Sequence, residues 1–242
     1  MRVCGLTDIG CRRQDNQDSW TIRHLEGGAV LLVVCDGMGG AQAGSVASSV
    51  AVEAFAAAVE AAGLPEGRSR RGELLASACR GANEEVYRLS RTRPEYEGMG
   101  TTLVAALALA GEVCFLNVGD SRGYVLTDRT IRQATVDHSL VQMLVDRGEI
   151  TPTQARVHPQ KNLITRALGV EGHVECDLTW LEPEAGSRLL LCSDGLSNVV
   201  NEQEMLYEVI HGGEDAQCCH RLLDIALSRG APDNVTAVLV KR

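Results

Sequence analysis

The order in which strand-like and helix-like segments follow one another limits this chain more than any single motif does. Strand patterns at residues 1–7 and 19–25 flank a polar turn, Asp8–Asp18, and the run AVLLVVC (29–35) reads as a buried strand from its length and valine content. A long helix is predicted near Gln42–Ala62, where Val46, Val50, Ala54 and Val59 recur at helical spacing. A second is predicted over Glu73–Arg91, with Leu74, Ala78, Ala82, Val86 and Leu89 on one face, after a break at GLPEGRSRRG (63–72). From Thr101 short strands return as a meander, punctuated at Gly111-Glu112, Asp120-Ser121 and Asp128-Arg129. Ser139–Arg147 reads as a short helix and 149–170 as irregular. Residues 173–180 and 188–193 read as strands, 201–210 and 215–229 as helices, and Asn234–Lys241 as the last strand. The succession lacks the βαβα alternation of a parallel sheet. It predicts an α+β fold, antiparallel sheets covered by helix layers. No repeat, low-complexity tract or linker interrupts it, so 1–242 is read as one domain.

Composition excludes some functions. Asp and Glu outnumber Lys and Arg by 32 to 23, a formal charge of −9, and aromatics are only 3%. A nucleic-acid partner needs a basic face or stacking platforms, so none is expected. The apolar run Ala29–Cys35 falls far short of the ~20 residues a bilayer span needs, and the N-terminus carries no hydrophobic signal segment. No membrane span and a cytoplasmic location are therefore expected. Nine cysteines, an odd number without a C-x-x-C pair, predict reduced thiols that pack as small hydrophobes. The adjacent Cys218 and Cys219 are read the same way.

The chemistry lies where apolar runs meet aspartates. LLVVCDG stops at Asp36, CFLNVGD at Asp120 and LLLCSDG at Asp194, while NVTAVLV begins just after Asp233. One such aspartate is an ordinary turn former. Four of them, with Asp18 after another turn, predict convergence on one edge, because in antiparallel sheets one strand's end lies beside its neighbour's start. Crowded carboxylates stay ionised only when cations neutralise them. An all-oxygen set without a His or Cys pattern selects Mg²⁺ or Mn²⁺, and Gly37 lets a backbone carbonyl approach closely. Two such ions generate a hydroxide and clamp a phosphoryl group. Arg13, in the same polar loop as Asp18, supplies a guanidinium for phosphate oxygens, with Arg12 a competitor by composition.

In chain order, Arg13-Gln-Asp-Asn16-Gln17-Asp18, Asp36-Gly37-Met38-Gly39-Gly40, Gly100-Thr101-Thr102, Gly119-Asp120-Ser121-Arg122, Ser193-Asp194-Gly195 and Asp233-Asn234-Val235-Thr236 resemble the motifs of the PPM family. These are the metal-dependent serine/threonine phosphatases of the protein phosphatase 2C type, and the resemblance spans nearly the whole chain. It implies a four-layer α-β-β-α sandwich, two antiparallel sheets flanked by helix pairs. It implies that Asp36 bridges two Mn²⁺ or Mg²⁺ ions, that Gly37 offers its carbonyl to one, and that Asp194 and Asp233 complete the other's shell. Asp120 with Asp194 would hold a weaker third ion, Arg13 would bind the phosphate, and Asp18 would orient the attacking water. The implied partners are phosphorylated proteins, the substrates of a bacterial serine/threonine kinase and that kinase itself.

Three positions depart from the family pattern. Gln17 stands where many members have Glu, so its contact with a metal is expected through water. Met38 replaces a histidine that many eukaryotic relatives use to protonate the leaving group, which points to a bacterial member. Asn198 stands where a further aspartate would support the third ion. The segment Val141–Gly169 resembles the flap of bacterial members, and such loops gate or select substrates. His138 is read as structural, with Asp137 or Ser139 capping the helix after it. Nucleotide binding through DGMGG is not expected, because a glycine is missing at Gln42 and Asp36 would oppose a pyrophosphate. Two alternatives remain: a phosphatase dedicated to one anti-anti-sigma-type partner, and a non-catalytic binding module, whose cheapest signature would be loss of the carboxylates.

Overall fold

A computed structural model describes residues 1–40, 43–211, 213 and 215–241, so Gln42, where the first helix was expected to begin, lies outside the described residues. The strands are β1 (Arg2–Asp8), β2 (Asp18–His24), β3 (Val30–Met38), β4 (Gly100–Thr101), β5 (Leu103–Ala108), β6 (Val113–Val118), β7 (Arg122–Leu126), β8 (Ile131–Gln133), β9 (Asp177–Leu181), β10 (Arg188–Cys192) and β11 (Val235–Lys241). The helices are α1 (Ala43–Ala62), α2 (Arg68–Thr92), α3 (Leu140–Asp146), α4 (Pro152–Arg156), α5 (Asp194–Ser197), α6 (Glu202–His211) and α7 (Asp215–Ser228). One sheet runs β1-β11-β10-β7-β8 and the other β2-β3-β5-β6-β9, with β4 on β3, and every pairing is antiparallel.

Three apolar layers hold these elements together. In β3, Leu31, Val33 and Cys35 pack toward Phe55, Leu75 and Val86 of α1 and α2. The alternate residues Val30, Leu32 and Val34 pack toward Leu189, Leu191 and Val238 of the second sheet. Leu190, Cys192 and Leu239 on that sheet's far side meet Met205 of α6 and Leu222 of α7. Helix, sheet, sheet, helix is thus the layer order. Both faces of the central strands are buried, which is why their sequences run apolar without alternation. None of the nine cysteines is in a disulfide; Cys4 Sγ lies 2.8 Å from Cys219 Sγ between β1 and α7.

Several elements differ from the sequence reading, among them the short helix α4, which a capping box at Thr151 starts inside the segment 149–170 read as irregular. Helix α2 starts five residues early, inside the segment read as a break. Its arginine-rich first turn is held by distant partners: Arg68 pairs with Glu112 and Glu182, and Arg71 with Glu112. Helix α1 is long and apolar enough by length and composition to cross a membrane. The expectation that no apolar stretch approaches that length is amended accordingly. In the fold, Ala47, Ala51, Phe55 and Val59 of α1 lie in the core layer against the first sheet.

Candidate active site

Strand β3 does not stop at Asp36. It continues through Met38, setting Asp36 directly across from Asp18 of β2 and Gly37 across from Thr101 of β4. The Asp36 peptide is clamped on both sides: its N–H donates to Thr102 Oγ1 (2.9 Å), and its C=O accepts from Thr102 N and Thr101 Oγ1. Asp194 opens α5 just past Ser193, which follows the end of β10; Asp233 lies one residue ahead of β11, beyond Asn234, and Asp120 sits in the bend after β6. The five aspartates therefore share one rim of the two sheets, as the sequence reading requires.

Their electrostatics follow from crowding. Burial, then the charges of Asp18, Asp194, Asp120 and Asp233, push the Asp36 carboxyl well above the usual range. So many carboxylates cannot all stay ionised at such close quarters without a compensating positive charge. Burial and Asp233 raise Asp194; burial, Asp194 and Asp137 raise Asp120 to about 8. Asp18 is buried, and burial lifts it to about 7 although Thr236 Oγ1 (2.6 Å) and Ser193 Oγ (2.7 Å) both donate to its Oδ2. Its other oxygen, Oδ1, is buried with no hydrogen-bond partner, and so is Asp194 Oδ1.

Arg13, not Arg12, reaches the rim. Its Nη2 donates to Asp233 Oδ2 at 2.6 Å from a half-exposed side chain, and the charges of Asp233, Asp36 and Asp194 hold the guanidinium protonated. Gly37 is required by packing as well, since a Cβ there would run into the Gly44 carbonyl of α1. Gln17 places its amide oxygen against Gly44. Asn198 donates from Nδ2 to Asp194 Oδ2 at 3.0 Å. Ser139 caps α3 by accepting from Gln142 N, which decides the expected Asp137-or-Ser139 cap.

Sequence reasoning missed the supporting residues. Ser193 and Thr236 lay inside motifs, yet their convergence on Asp18 needs two strands 43 residues apart to be neighbours. Asn234 was likewise unassigned. It accepts from Gln17 N and donates to Ile9 O and Asp15 O, stitching the loop of Arg13 to the start of β11. No signal short of the sheet pairing could have found these.

Among the described residues, no three His, Cys, Asp or Glu side chains are already arranged around one ion. Arg13 engages Asp233, and Asn198 engages Asp194. The donor chemistry nevertheless fits a hard divalent cation. All donors are oxygens, and two buried carboxylate oxygens lack any partner, a costly state that an ion relieves.

The molecule is thus an α+β sandwich, two antiparallel sheets between helix layers with hard oxygen donors at one rim. The chain belongs to the protein phosphatase 2C family, whose model matches residues 11–222. It is 43% identical over 243 residues to the serine/threonine protein phosphatase PstP of Mycobacterium tuberculosis, covering 99% of this chain and 44% of that protein. The chain thus spans less than half of that relative's length. It is 39% identical over 237 residues to the serine/threonine phosphatase stp of Listeria monocytogenes, covering 98% of this chain and 94% of that one. Among solved structures it resembles the catalytic domain of PstP in complex with two manganese ions, with a TM-score of 0.84, 40% identity and coverage of 98% and 96%.

Proposed function

We propose that this chain is one metal-dependent phosphatase domain that hydrolyses phosphoserine and phosphothreonine in proteins. It would act in the cytoplasm, opposing a bacterial serine/threonine kinase. The observation that carries the reading is the pair of buried, partnerless oxygens on Asp18 and Asp194, on the same rim as Asp36, Asp120 and Asp233. The phosphatase names of the relatives and the manganese ions of the PstP catalytic domain support it.

In this reading Asp36, Asp194, Asp233 and the Gly37 carbonyl would hold two Mn²⁺ or Mg²⁺ ions, and Asp120 with Asp194 would hold a weaker third. Bound there, the ions supply Lewis acidity and lower the pKa of water. Arg13 releases Asp233 and takes two phosphate oxygens in its planar fork. Asp18, with Oδ2 fixed by Ser193 and Thr236, turns Oδ1 toward the rim as the acceptor that orients the nucleophilic water. Met38 has no proton to give, so the serine or threonine oxygen leaves with a proton from solvent. Hydrolysis of p-nitrophenyl phosphate checks the metal dependence. Activity is expected with Mn²⁺ and is expected to vanish in EDTA; activity that survives EDTA overturns the reading.

A further inference from the structure

Outside the carboxylate cluster, His138 is a polar side chain near the rim that is bonded on both ring nitrogens and that the reaction scheme leaves unused. Its ring and backbone bracket one peptide. Gly119 N donates to His138 Nδ1 at 3.1 Å, while His138 N donates to Gly119 O at 2.9 Å. Gly119 has φ +105°, and a Cβ there would meet the Thr102 side chain, so this turn cannot relax by substitution. The residue next to it is Asp120. On the other side of Asp120, Asp137 takes Arg122 through Nε (3.0 Å) and Nη2 (2.6 Å). The dipeptide Asp137-His138 therefore grips the chain before and after Asp120.

The backbone donor at Gly119 fixes the tautomer. Nδ1 must accept, so the neutral ring carries its proton on Nε2 and donates it to Asp177 Oδ2 at 3.1 Å. Arg166 Nη1, 3.2 Å from Nε2, then contributes nothing to the ring and is held instead by Asp177 Oδ1 and Glu175 O. A protonated ring would point an N–H at the Gly119 N–H. The flap closes on the same residue: Thr165 N donates to His138 O, and Ser139 bridges Ile164.

We propose that His138 is a positioning residue: as the neutral Nε2–H tautomer it sets where Asp120 stands, and so governs the cation affinity of the Asp120–Asp194 pair while anchoring both ends of the flap. This deepens the metal-dependent reading above and rests on it. The charged groups facing the ring are Asp177, Arg166 and Asp137; burial and Arg166 push its pKa below the ordinary value, against Asp177.

The test compares His138→Asn with His138→Gln in the full chain. An Asn amide oxygen reproduces the Nδ1 acceptor, whereas a Gln amide reaches toward the Nε2 position and leaves Gly119 N unanswered. Mn²⁺ titration followed by electron paramagnetic resonance reads the sites directly. His138→Gln is expected to weaken the weakest Mn²⁺ site about 10- to 100-fold and leave the tighter ones unchanged. His138→Asn is expected to stay within about threefold of the parent. The parent's weak site should also loosen as pH falls below 6.5, the ordinary histidine value, more steeply than that of His138→Asn. Equal affinities in both variants and the parent, or equal losses in both variants, overturn the positioning role while the metal reading stands. A parent chain that takes up no Mn²⁺ overturns the metal reading, and this proposal with it.

Discussion

The aspartate rim has two halves built in different ways. At one, Asp18 and Asp36 face each other from paired strands, the Asp36 peptide is clamped by Thr101 and Thr102, and Asp18 is held by hydroxyls from two further strand ends. At the other, Asp120 sits in a bend, and Asn198 sits at the end of a four-residue helix. Arg156 and Lys161 of the flap line a cavity of about 380 Å³ beside Asp120 and Asp194. Strand-borne groups are fixed by many cooperative hydrogen bonds, while groups on bends and short helices are placed by a few contacts each. The first half is suited to a preorganised reaction centre, whereas the second depends on the few side chains that hold the bend at Asp120.

That contrast can be broken from either side. Asp36→Asn carries the largest expected effect. On the proposed reading it removes a metal ligand, and losing several kcal/mol of charge stabilisation corresponds to ~10³-fold in kcat/KM. The same variant should raise the melting temperature in EDTA, because it relieves repulsion among buried carboxylates. Steady-state hydrolysis and thermal unfolding check the two halves of this prediction, and a variant as active as its parent would remove Asp36 from the reaction. Ser193→Ala comes next. It takes one donor from buried Asp18 and an acceptor from Thr236 N, so a stability loss of ~1–3 kcal/mol and an activity loss of ~10–100-fold are expected. Urea unfolding and kinetics read both. Asn198→Asp is the smallest. It adds a carboxylate beside Asp194 in the looser half, so Mn²⁺ should bind there up to about tenfold more tightly. Its kcat should stay within about threefold of the parent's. If this substitution disturbs kcat more than Ser193→Ala does, the two halves are not different in kind.

Much of this was legible in the chain. The unbroken apolar runs announced strands buried on both faces, and the aspartates beside them announced a shared rim. Helix α2 was read short because its first turn depends on Glu112 and Glu182, partners that no local pattern links to it. The strand β3 was read as ending at Asp36 because Asp-Gly is ordinary turn chemistry, yet the pairing with β2 and β4 extends it.

The residues themselves thus determined the element types, the antiparallel architecture and the oxygen-only chemistry of the rim. Those properties follow from local preference, burial pattern and the donor atoms each side chain carries. Only the tertiary structure decided that Arg13 reaches Asp233, that Ser193 and Thr236 hold Asp18, and that His138 grips Gly119. These are hydrogen bonds between side chains far apart in sequence. Each needs two elements brought within about 3 Å at a set angle, which sheet register and layer packing fix and residue spacing does not.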